Sequence, residues 1–83
     1  MYIVSLTDEA KKNIYRLPKH EQKKVKKKLL ILAQNPYLGK KLNGELESFY
    51  CLRAWPYRIL YKIYQNQLLI TVLKIAHRQG VYK

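Results

Sequence analysis

The chain has 83 residues, room for one domain and not for two. Its 17 Lys and Arg stand against 5 Asp and Glu, a formal charge of +12, which favours phosphate-rich or acidic partners. A single cysteine, Cys51, excludes an internal disulfide and a cysteine-based zinc site, and fits a reducing compartment. Neither the apolar start (MYIVSL) nor the run from Leu68 to Leu73 approaches the ~20 residues of a membrane-spanning helix. The expectation is one soluble, cytoplasmic domain over residues 1–83, with no membrane association.

The charge is unevenly spread. All the acids (Asp8, Glu9, Glu21, Glu45, Glu47) precede Ser48. Beyond it, Arg53, Arg58, Lys62, Lys74, Arg78 and Lys83 have no local counter-charge. A lysine-rich surface serving solubility alone does not require that asymmetry, whereas an external anion accounts for it.

In chain order, residues 2–6 (YIVSL) predict a short first strand. Thr7 is placed to cap a helix, with Asp8 and Glu9 in the first turn where the helix dipole favours acids. Ala10, Ile14 and Leu17 recur on one helical face, and Pro18 stops that helix. A second helix is predicted from Lys19 to Ala33, with Val25, Leu29, Leu32 and Ala33 on its apolar side and lysines over much of the rest. Asn35–Pro36 ends it, so the two helices should form an antiparallel hairpin.

Residues 36–48 read as a loop, followed by a strand from Phe49 to Ala54 and a break at Trp55–Pro56. Tyr57, Ile59, Tyr61 and Ile63 then alternate with Arg58, Leu60, Lys62 and Tyr64, which is strand spacing. This places Arg58 on the face opposite the tyrosines and isoleucines, expected to be open. Gln65–Asn66 supplies a tight turn, with Asn66 suited to positive φ. Leu68 to Ile75 predicts a strand that is apolar on both faces and therefore central. The fold class is α+β: an N-terminal strand, an antiparallel helical hairpin, then a three-stranded antiparallel meander, with the hairpin on one sheet face.

The chain offers no Gly-rich phosphate loop, and no paired carboxylates in its second half. His20 and His77 lie in separate elements without further ligands beside them. These features argue against metal and two-carboxylate mechanisms, and no cofactor is expected. What remains is a set of cations, an imidazole and phenols on and after the sheet: Arg53, Arg58, His77, Arg78 and Tyr82. Cleavage of RNA by its own 2′-hydroxyl uses such groups. It needs a base, cations on the charged phosphorane and an acid for the leaving oxygen. Arginine suits the phosphorane, histidine titrates near neutrality, and tyrosine can stack on a base or bond the phosphate. Of the other aromatics, Trp55 reads as a turn-packing residue and Tyr50, Tyr57 and Tyr61 as core.

The stretches LTDEAKKNIYRLP, NPYLGKKLNGELESFYCLRAWPYRILYKI and LLITVLKIAHRQGVY cover nearly the whole chain. They resemble the RelE/ParE superfamily of type II toxins, most specifically in residues 53–61 and in the closing H-R-x-x-V-Y. The resemblance implies a metal-independent, ribosome-dependent mRNA endonuclease held by an antitoxin with an acidic or amphipathic segment. By motif it makes Arg58, His77, Arg78 and Tyr82 the catalytic candidates and Arg53 a basic contact on the preceding strand. The lysines that some relatives carry on that strand fall near Phe49 and Cys51, so neither charge is present here. Lys23, Lys24, Lys27 and Lys74 are further expected contacts to RNA, the first three toward ribosomal RNA. Two other functions share the resemblance: a ParE-like poison of DNA gyrase, and a non-catalytic nucleic-acid-binding homologue.

Overall fold

A computed structural model of the chain describes residues 1–42 and 49–77. In chain order the elements are β1 (Ile3–Leu6), α1 (Asp8–Tyr15), α2 (Lys19–Gln34), β2 (Lys40–Lys41), β3 (Phe49–Ala54), β4 (Tyr57–Tyr64) and β5 (Leu69–His77). The strands form one sheet in the order β1-β5-β4-β3-β2, with β1 parallel to β5 and every other pair antiparallel. The central position expected for β5 therefore holds, between β1 and β4.

The predicted cap forms: Thr7 Oγ1 accepts from the Ala10 amide at 3.1 Å, and Asp8 and Glu9 occupy the first turn. The same hydroxyl donates to the Leu73 carbonyl at 2.9 Å, tying the start of α1 to β5. Leu73 sits in a bulge, because Leu60 pairs with Lys74 while Tyr61 pairs with Val72. β1 ends opposite Val72, and beyond it the freed edge of β5 is satisfied from α1: Asn13 Oδ1 accepts from the Ile75 amide at 2.9 Å.

Ala10 and Ile14 of α1 join Val25, Leu29 and Leu32 of α2 over Leu52, Ala54, Ile59, Tyr61, Ile70, Val72 and Ile75 of the sheet. The spacing of these residues in each helix and their alternation in each strand put one apolar layer against another. Burial of each large aliphatic side chain in this layer contributes about 1.5–3 kcal/mol. Both helices lie on this side of the sheet. Tyr61 is fully buried, while Tyr50 and Tyr57 pack partly buried at the border of the core.

Four expectations need correction. The stretch predicted as loop holds a 3-10 turn at Pro36–Leu38 and then β2, a strand too short for its two residues to show periodicity. The β4–β5 connection is a 3-10 turn over Gln65–Gln67, and the positive φ, 50°, falls on Leu68 and not on Asn66. β5 runs to His77, so this histidine belongs to the strand and does not follow it. Trp55, expected to pack in its turn, is 58% exposed, although its carbonyl accepts a hydrogen bond from Lys24 Nζ.

Candidate nucleic-acid interface

The face away from the helices carries the charge. Arg53 and Arg58 are direct cross-strand partners, and the next residue in their row is Ala76 on β5. Partners in register project to the same face, so two guanidinium groups emerge side by side. Like charges directly opposite one another are unfavourable by a few tenths of a kcal/mol to about 1 kcal/mol. Neither arginine has an ion pair among the described residues. Glu45 and Glu47 lie outside those residues.

One step along the strands, a second row on this face runs Lys40, Cys51, Leu60, Lys74. Cys51 and Leu60 are buried at 9% and 8% exposure, giving an apolar floor between two lysines. An open groove of about 640 Å³ spans these rows, lined by Leu38, Lys40, Lys41, Cys51, Arg53 and Arg58 among others.

A buried phenol fixes one wall of the groove. Tyr61 on β4 points to the core side and stacks on Tyr50 at 5.6 Å between ring centroids. Its hydroxyl donates to the Pro36 carbonyl at 2.8 Å and accepts from the Gly39 amide at 3.0 Å. Burial pushes this hydroxyl up to about 12 from the usual 10.0. Gly39 sits so close that a Cβ there would lie 2.9 Å from the Cys51 carbonyl oxygen. The segment from Pro36 into β2 is thus pinned to the sheet, and Lys40 with it.

The structure separates some residues that the sequence grouped. His77 pairs with Tyr57, and the two rings meet edge to face at 6.3 Å. Since Tyr57 packs against the core, His77 projects from the helix side of the sheet end, while Arg58 beside it in the ladder projects from the open side. Arg78 and Tyr82 lie outside the described residues. Lys23 and Lys27 are exposed on α2, across the sheet from Arg53 and Arg58. Lys24 is engaged by Glu21 at 2.7 Å and by the Trp55 carbonyl. Lys74 does share the open face with the arginines. Lys40 and Lys41 line the groove but were hidden within the apparent loop, where the only signal was a Lys-Lys pair after glycine. Among the described residues, no three His, Cys, Asp or Glu side chains gather into a metal-binding cluster, and no helix is long and apolar enough to cross a membrane.

This architecture, two helices on one face of a five-stranded sheet, is that of the small RelE toxins. The toxin–antitoxin complex RelBE2 from Mycobacterium tuberculosis contains a chain that superposes with a TM-score of 0.87 at 29% identity, over 93% of this chain and 98% of that one. The isolated E. coli RelE toxin gives 0.80 at 25% identity, over 99% and 92% of the two chains. In sequence, Toxin RelG of M. tuberculosis is 29% identical across 99% of this chain and 97% of its own length.

Residues 4–82 match the family model described as the ParE toxin of the type II toxin-antitoxin system, parDE. The chain belongs to this family and is a toxin of the RelE/ParE superfamily.

Proposed function

We propose that this toxin cleaves mRNA on the ribosome, without a metal ion, by directing the RNA 2′-hydroxyl onto the adjacent phosphorus. The observation that carries the reading is the Arg53–Arg58 pair, two directly opposed cations on the open face with no ion pair among the described residues. A phosphodiester satisfies both. In the reaction a base removes the 2′-hydroxyl proton, the 2′-oxygen bonds to phosphorus, and the extra negative charge develops on the phosphorane oxygens. The arginine forks stabilise that charge. The 5′-oxygen then leaves with a proton from an acid, giving a 2′,3′-cyclic phosphate and a free 5′-hydroxyl. Arg58 is assigned to the phosphorane and Arg53 to the same phosphate group. Arg78 and Tyr82 take the proton-transfer and remaining charge-stabilising roles on the strength of the terminal motif, whereas His77, on the helix side of the sheet end, is left out of the reaction.

The partner is an antitoxin with an acidic or amphipathic segment. RelBE2, named above, is a toxin–antitoxin complex. Here Leu30 and Ile31 of α2 are 70% and 42% exposed beside Lys26 and Lys27, an apolar strip edged by cations that fits such a segment.

Ribosomes programmed with a defined mRNA, followed by primer extension, test the proposal. Cuts at the A-site codon that persist in chelator and vanish with Arg58→Ala or Arg78→Ala are expected. Full cleavage by both folded variants contradicts the site assignment. A second reading is favoured by the matching family description, which names ParE: poisoning of DNA gyrase by binding. Inhibition of gyrase supercoiling by a protein that makes no cuts would establish it instead.

A further inference from the structure

The row of Lys40, Cys51, Leu60 and Lys74 has no role in the reaction as written above. Lys40 is exposed, and no hydrogen bond or ion pair engages its side chain among the described residues. It faces Cys51 across the β2–β3 ladder, which makes Arg53, two residues along β3, its diagonal neighbour on the open face. Diagonal neighbours in a sheet lie about 7–8 Å apart. Both line the same groove, and the wall carrying Lys40 is held by the Tyr61 bridge to Pro36 and Gly39. A flexible cationic side chain is thereby mounted on a fixed strand, one row away from the arginine pair.

We propose that Lys40 forms a second phosphate subsite. It would hold the phosphate next to the one gripped by Arg53 and Arg58, with the buried Cys51–Leu60 floor beneath the strand between them. The ligand class is single-stranded RNA, and the subsite rests on the RNA-cleavage reading given above. An extended strand presents successive phosphates at a spacing comparable to the ~7 Å rise of two strand residues. The groove thus accepts two consecutive phosphates in one direction. Lysine suits the outer position because it contributes a point charge without dictating phosphate orientation, while the arginines orient the reacting group.

The test is salt-dependent binding of a fluorescent 2′-O-methyl RNA oligonucleotide, which has no free 2′-hydroxyl and cannot be cleaved. Each lost contact to a single-stranded phosphate lowers the slope of log K against log salt by about 0.7. Lys40→Met should lose that amount, Lys40→Arg should retain the wild-type slope, and Lys12→Met, on α1 across the sheet, should also retain it. An unchanged slope for Lys40→Met, alongside a reduced slope for Arg58→Met, overturns the subsite and leaves the RNA reading standing. An equal drop for Lys12→Met means diffuse attraction and also overturns it. If Arg58→Met too leaves the slope unchanged, the RNA reading itself fails at this groove.

Discussion

Arg58 and Ile59 are neighbours on β4 and serve opposite faces of one sheet. Ile59 is fully buried beneath the helices, in a layer with Tyr61, Ile70 and Val72. Arg58 stands on the open face against Arg53, a like charge that makes the sheet slightly worse as a sheet. The covered face is arranged for stability. The open face retains an unfavourable arrangement that an anionic ligand would relieve. Substitutions on one side should therefore change unfolding, and those on the other should change function.

The largest structural effect is expected from Ile59→Ala. A cavity in the centre of the covered layer should cost about 2–5 kcal/mol in urea unfolding, enough to threaten a domain of this size. Retention of wild-type stability would mean that the covered face is not the core.

Gly39→Ala comes next. The added methyl meets the Cys51 backbone carbonyl and the Tyr61 phenol, so a loss of about 1–3 kcal/mol is expected as β2 is forced outward. RNA binding should weaken with it, because the wall of the groove moves.

Tyr61→Phe keeps the ring and removes its two hydrogen bonds, leaving the Pro36 carbonyl and the Gly39 amide unpaired, for about 1–3 kcal/mol. It should also change the alkaline limb of stability. The folded protein holds this hydroxyl near 12, above its ordinary 10.0, so its contribution is complete below pH 10 and is lost as pH rises toward 12. Urea midpoints measured from pH 9 to 12 should fall less steeply in Tyr61→Phe than in the wild type. Equal slopes would remove Tyr61 as the cause.

The smallest effect carries the opposite sign. Arg53→Ala removes one partner of the like-charged pair and should leave stability unchanged or raise it by about 0.2–1 kcal/mol, while RNA binding falls. A clear destabilisation would show that Arg53 supports the fold.

Much of this division was readable in the sequence because periodicity reports faces. The alternation from Tyr57 to Tyr64 placed Arg58 away from the core, and the spacing in each helix found Ala10, Ile14, Val25, Leu29 and Leu32. Elements defined by pairing escaped it. β2 has two residues, too few for a period, and exists through its ladder to β3. The bulge at Leu73 and the distant bond of Asn13 to Ile75 are tertiary facts with no local signature. The candidate site was legible as a set of residue types. Its geometry was not: His77 and Arg58 look like parts of one cluster in the sequence, yet strand alternation sends them to opposite faces.

The most direct measurement is to compare Arg58→Ala with Ile59→Ala for melting temperature and for cleavage of mRNA on programmed ribosomes. Arg58→Ala should melt like the wild type and cleave about 10²–10³-fold more slowly, the loss typical of removing one donor to a developing oxyanion. Ile59→Ala should melt far lower and, where it remains folded, cleave at nearly the wild-type rate. Wild-type cleavage by a folded Arg58→Ala, or an Arg58→Ala that unfolds as Ile59→Ala does, would contradict the assignment of the open face to function.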